Sequence, residues 1–156
     1  MEKLLIRHSE FVNVPTEFFW KRWTDVALWS AWDMTIRSAW LHNGLRTGST
    51  GHLLQANGHK AHFTITGVNA GVGYTFKMPL LFATMHFRRL VQETCDGVMV
   101  THEVRYTGLP FISSRLLRLY QQGHRQSLIK LKYYLEEEHY RNKIAHIGVV
   151  TTAKAS

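Results

Sequence analysis

Apolar and polar residues alternate through the first two-thirds of the chain, and a spacing of three and four takes over in the last third. Glu2 to Val14 reads as a first strand, stopped by Pro15. Thr16 stands as a helix N-cap ahead of Phe18-Phe19-Trp20 and opens a short helix that ends near Thr24-Asp25. A second short helix carries Trp29 and Trp32. Further strands are expected at Ile36 to His42, Thr50 to Ala56, Lys60 to Asn69, Gly73 to Met78, Ala83 to Glu93 and Val98 to Thr107. From Phe111 to His139 the period becomes helical. Leu116, Leu119, Tyr120, Gly123, Ser127, Leu131, Tyr134 and Leu135 form one stripe of a long helix. Beyond about Asn142 the residues are small or polar. Residues 1–142 therefore read as one domain and 143–156 as a frayed tail.

Two turn signals set which side chains share a face. With Asn57-Gly58 as a two-residue loop, Leu54 opposes Ala61 and His52 opposes Phe63. The inner face then holds His52, Leu54, Ala56, Ala61, Phe63 and Ile65, with Leu53 and His62 outside. With Asp96-Gly97 as the second loop, Phe87 opposes Tyr106 and Val91 opposes His102. Met85, Phe87, Arg89, Val91, Val98, Val100, His102, Val104 and Tyr106 point inward. His86, Arg88, Glu103 and Arg105 point outward. Arg89 and His102 become diagonal neighbours.

Composition narrows the class. The chain has 156 residues, 45% hydrophobic and 12% aromatic, enough for one packed core with room for a cavity. A single cysteine, Cys95, excludes a disulfide framework. The first residues lack the apolar core and cleavage site of a secretory signal, and no run is long enough to span a membrane, so a cytoplasmic location is expected. The net charge of +8 has three readings: a solvated basic surface, a surface for acidic ligands or anionic lipid, or nucleic-acid binding. The last wants a basic cluster interleaved with aromatics, which the scattered Lys and Arg do not make.

Candidate chemistry centres on polar groups among apolar ones. A buried Arg89 needs an anion: a ligand, or an internal acid such as Asp25 or Asp33; otherwise it reaches solvent at a strand end. His102 is either a satisfied core histidine or a ligand contact. Trp29 and Trp32 either plug the core or line a pocket mouth. Gly123 either makes room for a ligand or marks a kink. Ten histidines raise the question of a metal. In the register above, His52 and His62 lie on opposite faces, as do His86 and His102, and no metal or other cofactor is expected. No nucleophile motif stands out. Any chemistry would be general acid–base work or electrophilic orientation by Arg89, His102, Tyr106 or Tyr74.

Several segments together resemble a known family: Asp25-x-x-x-Trp29-x-x-Trp32-Asp33, Leu41-x-x-Gly44, Gly48-Ser49-x-Gly51, Thr101-His102-x-Val104 and Gly108-Leu109-Pro110 before a long helix. The chain resembles the START-like helix-grip superfamily over about residues 3 to 138, nearest the polyketide cyclase/dehydrase and lipid-transport (SRPBCC) group. The resemblance implies an α+β helix-grip fold. A curved antiparallel sheet of six or seven strands would wrap a long C-terminal helix, with two short helices after the first strand and a cavity between.

That fold suits a hydrophobic small molecule or lipid, either neutral or anionic. The alternative is a cyclase, dehydratase or isomerase acting on a polyketide or terpenoid; no cyclase catalytic set matches residue by residue. A third reading is a basic surface that docks another macromolecule. The residues expected to meet a ligand are Trp29, Trp32, Phe63, Ile65, Phe87, Arg89, His102, Tyr106 and Gly123. Neither nucleic acid nor integral membrane association is expected, and the oligomeric state stays open.

Overall fold

A computed structural model describes residues 1–109 and 113–154. Strand β1 (Lys3–Val12) leads through Pro15 into helix α1 (Thr16–Trp23), one 3₁₀ turn (Val26–Leu28) and helix α2 (Trp29–Trp32). Strands β2 (Ile36–Leu41), β3 (Thr50–Gln55), β4 (Lys60–Asn69), β5 (Gly73–Pro79), β6 (Ala83–Glu93) and β7 (Val98–Gly108) follow, then helix α3 (Ser114–Lys154). The seven strands form one antiparallel sheet in the order β1-β7-β6-β5-β4-β3-β2. Bulges in β1, β2 and β4 increase its local twist. Leu128, Leu131 and Leu135 of α3 are fully buried with Trp23, Trp29, Trp32, Phe63 and Tyr74.

α3 runs along the edge strand. Gln121 donates to the Leu5 carbonyl at 2.8 Å, Lys132 to the Phe11 carbonyl at 2.9 Å, and the Glu136 carboxylate accepts from Asn13 N at 2.8 Å. These contacts satisfy backbone groups of β1 and its flank. The start of α3 therefore lies at the end of the sheet where β1 begins, and its later turns lie beside Pro15.

The β6–β7 hairpin keeps the expected faces with a different register. Arg89 pairs with His102 and Phe87 with Val104, a shift of two residues, because Thr94–Gly97 closes the loop with Thr94 N donating to Gly97 O at 2.9 Å. A shift of two preserves parity, so the inward set (Met85, Phe87, Arg89, Val91, Val98, Val100, His102, Val104 and Tyr106) is buried as assigned. Glu103 keeps its outward parity but is buried. Arg105 Nε meets its carboxylate at 2.6 Å and Arg7 covers it at 3.9 Å.

The β3–β4 hairpin is shifted by one. Leu54 pairs with Lys60 and Gln55 N donates to His59 O, so Ala56-Asn57-Gly58 is a three-residue loop with Gly58 at φ 88°. An odd shift inverts β3. Leu53 is buried, and His52 faces outward opposite His62 with ring centroids 4.4 Å apart. The assignment of these two histidines to opposite faces is therefore corrected: both belong to an outer row that includes His42, whose Nε2 lies 3.1 Å from His52 Nδ1. Among the described residues, no group of three His, Cys, Asp or Glu is placed to hold a metal.

Two boundaries also differ. Thr16 is the first residue of α1 after Pro15, not its cap, and its buried hydroxyl has no hydrogen-bond partner. The expected start of the long helix at Phe111 lies outside the described residues, as does Pro110. At the other end, α3 continues through 143–154 in place of the frayed tail. Within α3, Ser127, Leu131 and Leu135 are buried as expected, while Leu119 is exposed and His124 and Leu128 join the buried side.

The corrected β3 register gives a direct test. Leu53→Ala should cost about 2–5 kcal/mol in urea unfolding, while His52→Ala should cost roughly 0.5 kcal/mol or less. The opposite ranking would restore the two-residue loop.

Candidate functional site

The segment after α1 is shaped by short polar caps. Thr24 closes α1, with its N and Oγ1 donating to Trp20 O at 3.0 and 2.6 Å. Asp25 accepts from Ala27 N at 3.1 Å and starts the 3₁₀ turn. Asp33 ends α2 and folds back on itself: its Oδ1 accepts from Thr35 N at 3.0 Å and Thr35 Oγ1 at 2.6 Å. Ser127 of α3 joins this turn, accepting from Met34 N at 3.1 Å and donating to Asp33 Oδ1 at 3.5 Å. The two tryptophans of α2 are thereby held between sheet and helix.

Arg89 meets this segment from β6. It is 3% exposed, so its charge has almost no access to water. Its Nη2 lies 3.8 Å from Asp33 Oδ2, and its Nη1 donates to the Tyr74 hydroxyl at 2.8 Å. The guanidinium carbon sits 4.3 Å from the Trp29 ring centroid, 5.0 Å from Phe76, 5.1 Å from Trp32 and 5.6 Å from Tyr74. Tyr74 passes the network on, donating to Trp23 O at 3.4 Å, and the Trp29 indole donates to the same carbonyl at 3.3 Å. Burial raises the Tyr74 pKa although the guanidinium beside it opposes this, so its hydroxyl stays protonated.

A pocket of about 380 Å³ opens against this cluster. Trp29, Leu53, Phe76, Met78 and Phe87 supply apolar wall. Asp33, Arg89, Tyr120 and His124 supply the polar groups, and Met34, Gln55, Ala56 and Asn57 lie toward the rim. Burial lowers the His124 pKa, with Arg89 and His8 adding to the effect and Asp33 opposing it. Burial also raises the Tyr120 phenol above its ordinary value. The two rings lie 4.5 Å apart. A larger hollow of about 490 Å³ lies at the far end between Asn13–Thr16, the β6–β7 loop and α3. Its walls are mostly turn and surface residues without a buried charge, so the smaller pocket is the candidate site.

Of the residues expected to meet a ligand, Trp29, Phe87 and Arg89 line this pocket. Trp32, Phe63, Ile65, His102 and Tyr106 are buried in the core and are not among its lining residues. Phe63 packs on Trp29 and Phe76 with centroids 5.5 and 5.6 Å apart. His102 accepts from the Trp23 indole at 3.0 Å and stacks on that ring at 5.9 Å. A Cβ added at Gly123 would meet nothing within 4 Å, and α3 passes through it unbroken. The reading from sequence missed His124 as a site residue and held Tyr120 only as part of the stripe. Their spacing of four, with Ser127 three further on, places three polar groups along one side of α3. Leu53 was missed through the one-residue shift.

The same fold recurs among solved structures at low identity. MLL2253 from Mesorhizobium loti matches with a TM-score of 0.70 and 14% identity over 88% of this chain and 98% of that one. Ara h 8.0201 matches at 0.67 and 11% over 86% and 98%. The di-domain ARO/CYC StfQ from the steffimycin biosynthetic pathway matches at 0.65 and 12% over 88% of this chain and 51% of its own. The chain thus has the START-like helix-grip fold and spans about half of StfQ. No protein-family model and no curated protein matches the sequence.

The buried imidazoles impose a pH dependence. Burial holds the His102 pKa well below the ordinary 6.5, reinforced by Arg89 and then His124, and His124 is lowered too. Below about pH 6.5 the unfolded chain takes up protons that the folded chain refuses. Stability should be full above that pH and fall as the pH drops toward 5. His102→Gln, which retains an acceptor for Trp23, should flatten part of the fall. A melting temperature that stays constant from pH 7.5 to 5.5 would contradict the neutral assignment.

Proposed function

We propose that the chain binds a hydrophobic small molecule in the pocket beneath α2, and that the favoured ligand is neutral with one polar group. The observation that carries this reading is the pairing of Arg89 with Asp33 inside an aromatic cage at the pocket wall. Apolar walls supply the driving force, at about 25 cal/mol per Å² of apolar surface buried. The few polar groups orient the ligand. Asp33 compensates the guanidinium, so a ligand carboxylate would add a negative charge beside one already present. A carbonyl or hydroxyl accepts from the guanidinium without that cost. The anionic preference expected from Arg89 alone is therefore replaced by a preference for neutral molecules.

A second reading is supported by His124. A neutral imidazole on the pocket wall, beside the Tyr120 phenol and within the field of Asp33, has the properties of a general base. It would suit a cyclase or dehydratase, and StfQ with the same fold is an ARO/CYC. In that case His124→Gln abolishes turnover of a trial polyketide while leaving its binding intact.

The ligand class is tested with two fluorescent probes, neutral N-phenyl-1-naphthylamine and anionic anilinonaphthalene sulfonate. The native chain should prefer the neutral probe. Asp33→Asn leaves the guanidinium uncompensated and should strengthen the anionic probe about tenfold, roughly one charge-assisted hydrogen bond. The double variant Asp33→Asn with Arg89→Met should lose that gain and keep the neutral probe, separating ligand preference from unfolding. A native preference for the anion, unchanged in Asp33→Asn, would refute the reading. Leu53→Trp, which fills the pocket, should weaken both probes at least tenfold.

A further inference from the structure

The end of the sheet that carries the pocket rim also carries an apolar tip. β3, β5 and β7 all finish there, as the registers Leu54↔Lys60, Lys77↔His86 and His86↔Arg105 require. Between β5 and β6 the connection is only Leu80-Leu81-Phe82. It is held by backbone bonds: Leu80 N donates to Ala83 O at 2.7 Å, and Leu109 N, just past β7, donates to Phe82 O at 3.0 Å. Gly108 permits this approach. It has φ 102°, and a Cβ there would lie 2.4 Å from the Phe82 carbonyl oxygen. The tip presents large apolar side chains to solvent: Leu81 is 87% exposed, Leu109 62% and Phe82 59%. Exposed apolar surface concentrated at one point marks an interaction site more often than chance placement does.

The charge beside it decides the partner. α3 starts five residues after Leu109, and its first turns carry exposed Arg115 and Arg118 together with exposed Leu119. No acidic residue stands in the first turn, and among the described residues neither arginine pairs with a carboxylate. A projecting loop of this size lacks the area of a stable protein interface, about 800 Å² per partner. A bilayer accepts such a tip without matching its shape, and its anionic headgroups complement the arginines. No helix of the described residues is long and apolar enough to cross a membrane, so the contact is peripheral.

We propose that the chain docks on anionic phospholipid bilayers through Leu80, Leu81, Phe82 and Leu109, with Arg115 and Arg118 at the headgroup phosphates. The pocket rim then faces the bilayer. The proposal rests on these surface residues and not on the ligand in the pocket.

Cosedimentation of the full chain with vesicles tests it, using phosphatidylcholine alone and phosphatidylcholine with about one-third phosphatidylglycerol. The chain should bind the anionic vesicles and much less of the neutral ones. Leu81→Asp should weaken anionic-vesicle binding at least about tenfold. Arg115→Gln with Arg118→Gln should weaken it roughly tenfold or more and reduce its salt dependence. All these side chains are exposed, so melting temperatures should stay at the native value. Failure to sediment with anionic vesicles overturns the proposal. So does binding unchanged by Leu81→Asp, which would be adsorption of a cationic protein through charge alone. Self-association lost in Leu81→Asp, without vesicle binding, would assign the tip to a second copy of the chain instead.

Discussion

One buried guanidinium organises this molecule. Arg89 cannot lose its proton, so the fold must answer its charge at a site 3% exposed. It does so with a carboxylate from the α2–β2 connection, a phenol from β5 and four ring faces. These partners come from two segments, α2 with its exit and β5, so satisfying one charge on β6 draws both segments to it. Asp33 is held in turn by Thr35 and Ser127, which ties the α2 segment to α3. Removing one member of such a cluster leaves the others uncompensated, which costs far more than the intact pair gains.

The rest of the buried polar chemistry follows the same economy. His102 lies directly opposite Arg89 on β7, where a second positive charge would be costly. It is kept neutral, with one ring nitrogen accepting from Trp23. His124 is likewise shifted toward its neutral form. Among the groups lining the pocket, the guanidinium and Asp33 therefore stand as a charged pair, and the imidazole and phenol remain neutral. This gives a pocket able to orient a polar group without demanding that it be charged.

How much of this could be read in the sequence depended on parity. Alternation in β6 and β7 was so consistent that an error of two residues in the loop left every face correctly assigned, and Arg89 and His102 were placed inside together. In β3 the alternation is weaker. Gly51, His52, Leu53 and Leu54 do not alternate cleanly, so the Asn57-Gly58 signal set the register, and a loop one residue longer inverted the strand. Glu103 shows a different limit. Strand period gives direction but not coverage, and long arginines from neighbouring strands bury an outward carboxylate. Asp33 was legible as one of few available acids; its selection over Asp25 required the turn geometry that aims it at β6. Tyr120 and Ser127 stood in the expected helix stripe, but His124, on the same side, was left out because a histidine adds nothing to an apolar pattern.

The position of β1 has a consequence for biosynthesis. This strand leaves the ribosome before any other in the sheet, yet its hydrogen-bonding partner is β7, and its other edge is strapped by α3. Val12 waits for Val98, and the Phe11 carbonyl waits for Lys132. Until those residues emerge, β1 has no template within its own chain. Long-range pairings of this kind slow folding and prolong the exposure of unpaired edges. The nascent chain therefore depends on β7 to pair its first strand and on α3 to strap that strand's outer edge, and truncation between the two leaves the edge of β1 uncovered.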